Sequence, residues 1–78
     1  MPTVLRQNGF RFFFFSDEHT PKHIHIEKGE MYVRIELESL KVTDSYNINM
    51  KDIKLLQKVV KENKEVFIGA WDEYFKEQ

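Results

Sequence analysis

Apolar and polar residues alternate with a period of two over residues 23–36, HIHIEKGEMYVRIE, and with a period of three to four after residue 49. The first pattern predicts a β-hairpin around Gly29-Glu30, since a two-residue loop with glycine first suits the mirror-image turns whose twist matches paired strands. Counting outward from that turn pairs Lys28 with Met31, Glu27 with Tyr32, Ile26 with Val33, His25 with Arg34, Ile24 with Ile35 and His23 with Glu36. Side chains alternate faces along a strand, so Ile24, Ile26, Val33 and Ile35 share one face. His23, His25, Glu27, Tyr32, Arg34 and Glu36 share the other. The hairpin therefore predicts a core and a polar face together. A polar face turned away from the core can lose side chains without leaving a cavity, so it is expected to be dispensable for folding.

Upstream, Val4-Leu5 starts a short edge strand and Asn8-Gly9 is a strong turn dipeptide. Phe10 to Phe15 reads as a strand apolar on both faces, with Phe10, Phe12 and Phe14 on one and Phe13 and Phe15 beside Arg11 on the other. Ser16 to Lys22 is a polar connection that brings His19 to the entrance of the histidine strand. Leu40 to Val42 is a candidate last strand ahead of a turn-like Thr43-Asp44-Ser45. Asn49, with Asp52 three residues on, marks a helix start. Ile53, Leu55, Leu56, Val59 and Val60 then cover one arc, and Lys51, Lys54, Lys58 and Lys61 the opposite, solvated one. Asn63 ends this helix and caps a second, on which Val66, Phe67, Ala70, Trp71, Tyr74 and Phe75 recur at helical spacing. The predicted helices span 50–62 and 64–76. The fold expected is α+β: one domain over residues 1–78, an antiparallel sheet of three or four strands from Phe10 to about Val42, and two C-terminal helices packed on one face.

Composition narrows the function classes. Twelve Lys and Arg balance thirteen Asp and Glu, so no global field draws the chain to nucleic acid. There is no cysteine, which removes disulfides and thiolate metal sites and makes a reducing compartment such as the cytoplasm the default home. No apolar run approaches the eighteen or so residues of a membrane helix. A chain of 78 residues buries only about 60% of its unfolded surface, so a two-layer core or a partner is needed.

The polar face of the hairpin is the candidate site. His23, His25 and Arg34 carry residue types suited to acid–base work on a phosphodiester, with Lys22, Glu27 and Tyr32 as binding residues around them. Glu27 and Glu36 on that face oppose a phosphate. A metal could use His23, His25 and Glu27, with His19 four residues upstream. Adjacent residues on a flat strand need a ligand from another segment to close a coordination shell, however, and Arg34 repels a cation. No metal and no cofactor are expected on these grounds. The bland alternative is a solvated sheet surface whose side chains pair across strands, Glu36 with His23 and Arg34 with His25 or Glu27. Phe13 and Phe15, apolar on the face away from the helices, point to a homodimer contact or a partner subunit.

Several stretches in order, MPTVLR, FRFFFFS after Asn8-Gly9, PKHIHIEKG and ENKEVFIGAWDEYF, resemble the DUF4160 family of short bacterial proteins. Where that family has Pro-His-Ile-His-Val, this chain carries Lys22 between Pro21 and His23 and keeps the His-x-His pair. The resemblance implies a small cytoplasmic protein encoded beside another small protein, in the manner of a toxin–antitoxin pair. The expected function is thus an interaction module of such a two-component system, with a protein partner encoded nearby. The alternative is a metal-independent ribonuclease-like enzyme using His23, His25 and Arg34.

Overall fold

Five antiparallel strands lie in chain order across one sheet: β1 (Thr3–Gln7), β2 (Phe10–Phe13), β3 (His23–Lys28), β4 (Met31–Glu36) and β5 (Val42–Tyr46). Two helices follow, α1 (Met50–Glu62) and α2 (Lys64–Tyr74). The computed structural model describes residues 3–76. Met1, Pro2, Glu77 and Gln78, the ends of the expected 1–78 domain, lie outside the described residues. Among the described residues no helix is long and apolar enough to cross a membrane.

The β3–β4 register is the one the turn dictates, with all six pairs from His23↔Glu36 to Lys28↔Met31. Gly29 takes the positive φ of 59° that a glycine-first mirror-image turn requires. The β1–β2 turn uses positive φ at both central residues, 56° at Asn8 and 80° at Gly9. The φ of 80° favours glycine at position 9, whereas the nearest atoms a Cβ would meet, 3.0 Å away, belong to the flexible end of Lys28.

The sheet has five strands rather than three or four, and the difference lies at its margins. Thr43-Asp44-Ser45 is strand, not turn: Arg34 faces Asp44 and Val33 faces Ser45, with a register shift between Arg34 and Ile35. The chain reverses earlier, where Leu40 adopts φ 65° and donates its N–H to the Glu36 carbonyl at 2.9 Å. Turn-type residues are tolerated in β5 because it is an exposed edge strand with little to pack. β2 stops at Phe13 instead of running to Phe15, which frees the next residues to leave the sheet.

Helix α1 begins where expected, with Asn49 Oδ1 accepting the Asp52 N–H at 2.8 Å. Asn63 closes α1, its Nδ2 donating to the Val59 carbonyl, but makes no side-chain cap for α2. Both helices cover the face of Phe12, Ile24, Ile26, Val33 and Ile35. Phe12 stacks on Phe67 with ring centroids 5.6 Å apart, and Phe14 meets Trp71 edge-on at 5.4 Å. Leu55, Val66 and Tyr74, placed on the apolar arcs by periodicity, are exposed.

Candidate functional site

β2 and β3 are neighbours, so the nine residues joining them must turn back at one end of the sheet. Phe14, the first, stays in the helical core against Trp71 and Phe75. Phe15 swings to the other face, its ring centroid 4.2 Å from that of His25. Its N–H donates to Glu18 Oε2 at 3.1 Å, and this short turn aims the Glu18 carboxylate down onto the start of β3. The peptide between Thr20 and Pro21 is cis, and Lys22 then enters β3 with an ion pair to Asp72 of α2 at 2.7 Å.

Glu18 binds both histidines. Its Oε1 lies 2.8 Å from His23 Nε2 and its Oε2 2.8 Å from His25 Nε2. The far nitrogens are held as well, His23 Nδ1 at 2.7 Å from the Pro21 carbonyl and His25 Nδ1 at 2.7 Å from the Tyr32 hydroxyl. Because a carbonyl only accepts, His23 Nδ1 carries a proton. Its Nε2 shares a hydrogen bond with Glu18 Oε1. His25 is served by a single proton, its Nε2–H donating to Glu18 while Nδ1 accepts from Tyr32.

Burial sets the electrostatics. Glu18 is 7% exposed and His25 1%. Burial pushes the Glu18 carboxyl up, but hydrogen bonds from His25, His23 and the Phe15 N–H outweigh it and leave the group below its ordinary range. Burial is also the main reason the His25 pKa is depressed, against the pull of Glu18, so the ring stays neutral. Burial likewise raises the Tyr32 phenol. Among the described residues no buried side-chain polar atom lacks a partner.

The residues singled out in the sequence divide into two groups. His23, His25 and Tyr32 meet in this cluster. Arg34 does not: its Nε donates to Thr43 Oγ1 at 2.8 Å, and it lines a separate cleft of about 190 Å³ with His19, Pro21, His23, Glu36 and Thr43. Glu27 pairs with Arg11 across β2 and β3 at 2.9 Å, Arg34 bonds Thr43 across β4 and β5, and Glu36 Oε1 accepts from Ser39, so the face does pair across strands but with partners other than Glu36–His23 and Arg34–His25 or Arg34–Glu27. Phe13 is only 2% exposed, under the Arg11 guanidinium at 4.3 Å and beside His25 and Phe15, and has no free surface to offer a partner. Phe15 is partly exposed above it. The expectation that the whole polar face is dispensable for folding fails at His25, which is as buried as the apolar core because the loop covers it.

Glu18 is the residue that sequence reasoning missed. It supplies the ligand from another segment whose absence argued against a metal: one atom each from Glu18, His23 and His25 lies within 4.8 Å of the others. The available signal was Phe13 and Phe15, which required some cover over the second face; the cover is the chain's own loop.

No curated protein and no solved structure matches the chain. A family model, that of a domain of unknown function, matches residues 9–72, a stretch that takes in Glu18, both histidines, the hairpin and α2 as far as Asp72. By that match over most of its length, the chain belongs to the DUF4160 family.

Proposed function

We propose that this chain is an interaction module of a two-component, toxin–antitoxin type of system, docking a second small protein on the open edge of β1. The observation that carries the reading is a coincidence of two features. β1 ends the sheet, with its outer backbone edge unpaired among the described residues. Against it lies a mostly apolar groove of about 380 Å³, lined by Val4, Phe14, Ala70 and Tyr74 with Thr3 and Glu73. An extended segment of a partner would gain main-chain hydrogen bonds from β1, and alternate side chains of that segment would turn toward the helix layer and into the groove. Tyr74, half-exposed beside it, is a residue type enriched at protein interfaces. The test is coexpression with the product of the adjacent gene, scored for copurification and for growth arrest. Ala70→Arg fills the groove from a partly buried position at the margin of the core and should abolish the complex in protein that circular dichroism shows to be folded. Failure of the wild type to bind, or equal binding by Ala70→Arg, refutes the reading.

A second reading is favoured by the cleft beside the cluster. Arg34, its Nε donating to Thr43, lines this cleft with His19, His23 and Glu36, and the space has room for a phosphate group. Arg11 neutralises Glu27, one of the two acids that spoke against phosphate. A ribonuclease-like activity would then use His23 and Arg34, which line the cleft, without His25, which is buried under the loop. Cleavage of RNA by the wild type and its loss in Arg34→Ala would support this reading; an inactive wild type removes it.

A further inference from the structure

We infer that Glu18, His23 and His25 form a binding site for a first-row divalent transition metal ion of the zinc class. The three residues offer two imidazole nitrogens and one carboxylate, all within 4.8 Å of one another. Each Nε2 already stands 2.8 Å from a carboxylate oxygen. Metal bonds of about 2.0–2.1 Å place neighbouring ligand atoms about 2.9 Å apart at right angles and about 3.4 Å apart in a tetrahedron. Binding therefore asks the 2.8 Å contacts to open slightly and the wider separations, up to 4.8 Å, to close.

The surroundings of the cluster match what such ligands need. A histidine that holds a metal through Nε2 is oriented by a partner on Nδ1. His23 Nδ1 must donate to the Pro21 carbonyl, so the neutral ring has its lone pair on Nε2, facing Glu18. His25 Nδ1 faces the Tyr32 hydroxyl, which accepts as readily as it donates. On binding, the His25 proton moves from Nε2 to Nδ1 and the Tyr32 hydroxyl rotates to accept it, while any proton held between His23 Nε2 and Glu18 Oε1 leaves to solvent.

Ligand type and access set the class of ion. Two imidazoles among three ligands favour zinc, iron, nickel or copper over magnesium or calcium. Three protein ligands leave a further position on the ion, the pattern of sites that bind water or a substrate group. Two cavities reach the cluster, the cleft bordered by His23 and Arg34 and a second of about 180 Å³ lined by Glu18, His19, Thr20, Trp71 and Phe75. The Arg34 charge counts against any cation, but its guanidinium is drawn toward β5 by Thr43. This site lies apart from the β1 groove, and the inference does not depend on partner docking.

The experiment is titration of chelator-treated protein with Zn²⁺, and with Co²⁺ as a spectroscopic probe. One ion per chain should bind and the melting temperature should rise. Trp71, whose ring centroid lies 5.1 Å from that of His23, gives a fluorescence readout. His23→Gln, at a partly exposed position, and Glu18→Gln should each weaken binding by about 100-fold or more. Tyr32→Phe, which removes only the orienting hydroxyl, should weaken it by about tenfold. Wild-type protein that takes up neither ion at 100-fold excess overturns the inference, whatever the variants do. So does wild-type affinity in both His23→Gln and Glu18→Gln.

Discussion

Replacing Glu18 with alanine removes the acceptor on which the loop and β3 converge, and the size of the effect follows from what is left behind. In metal-free protein the carboxylate accepts from His23 Nε2, His25 Nε2 and the Phe15 N–H at 2.8, 2.8 and 3.1 Å. Hydrogen bonds to a charged group are worth about 1.5–3 kcal/mol each, but they share one partner and do not add. Truncating one member of a buried charged pair costs about 3–5 kcal/mol, because the remaining polar groups stay desolvated and unmatched. That range is the expected loss for Glu18→Ala. Glu18→Gln keeps one carbonyl acceptor and presents an amide N–H₂ that His25 Nε2 can accept from once Tyr32 takes the Nδ1 proton. It should cost only about 1–2 kcal/mol, as for a net loss of one or two hydrogen bonds. Urea unfolding at neutral pH with a chelator present measures both. In a chain of this size 1 kcal/mol moves the melting temperature by about 4–8 °C, so the alanine variant should melt at least about 12 °C lower. A double-mutant cycle with His25→Ala should show coupling above about 1 kcal/mol. Loss of less than about 1 kcal/mol in Glu18→Ala, or no coupling to His25, would refute the view that the network pins the loop.

Three further outcomes follow from the same geometry. Glu18 and His25 both have folded-state pKa values below the ordinary 4.5 and 6.5, so below about pH 6.5 the unfolded chain binds more protons than the folded one. Stability of the chelator-treated protein should hold above that pH. It should fall on acidification, first through His25 and then, below about pH 4.5, through Glu18; a flat profile between pH 7 and pH 4 contradicts the assignment. Trp71→Ala should destabilise by about 3–5 kcal/mol, the range for removing a buried large aromatic, since Trp71 packs on Phe14 and Phe75; thermal melting checks it. His25→Ala should cost at least about 2 kcal/mol and Arg34→Ala no more than about 0.5–1 kcal/mol, which urea titration of the two single variants separates.

The elements with strong periodicity were legible from sequence alone, down to the pairing of individual residues in β3 and β4. Register there follows from a single turn dipeptide and from two alternations that agree, so one error would have exposed itself. The two helices were legible for a similar reason, because Asn49 and Asn63 punctuate an arc of buried residues. The margins were not. β5 carries the turn-forming pair Asp44-Ser45 between strand-favouring Val42, Thr43 and Tyr46, and pairing with the edge of β4 decides it as strand, while Leu40 adopts a positive φ without the glycine or asparagine that announces one. Both outcomes are decided by tertiary pairing, which local propensity does not encode.

The candidate site was half legible, and the missing half has one physical cause. Periodicity assigns a residue to a face of its own strand but is silent on which loop folds over that face. His23, His25, Tyr32 and Arg34 were therefore placed together correctly as a face, yet all were treated as solvated. Phe14 and Phe15 explain why that fails. Consecutive residues at the end of β2 insert into opposite sides of the sheet, Phe14 against Trp71 and Phe15 against His25. This straddle commits the loop to wrap the sheet end, and the Phe15 N–H then delivers Glu18 to the histidines. Of the two aromatic side chains on the supposedly open face, Phe13 is thus covered by the chain's own loop, while Phe15 stays partly exposed. Once the loop is down, His25 and Glu18 need each other, since either alone would be a buried polar group without a match. Arg34, outside the wrapped region, keeps its solvent and its free donors. The face divides where the loop ends, into a buried cluster with the ligands of a metal and an open cleft with the charge for an anion.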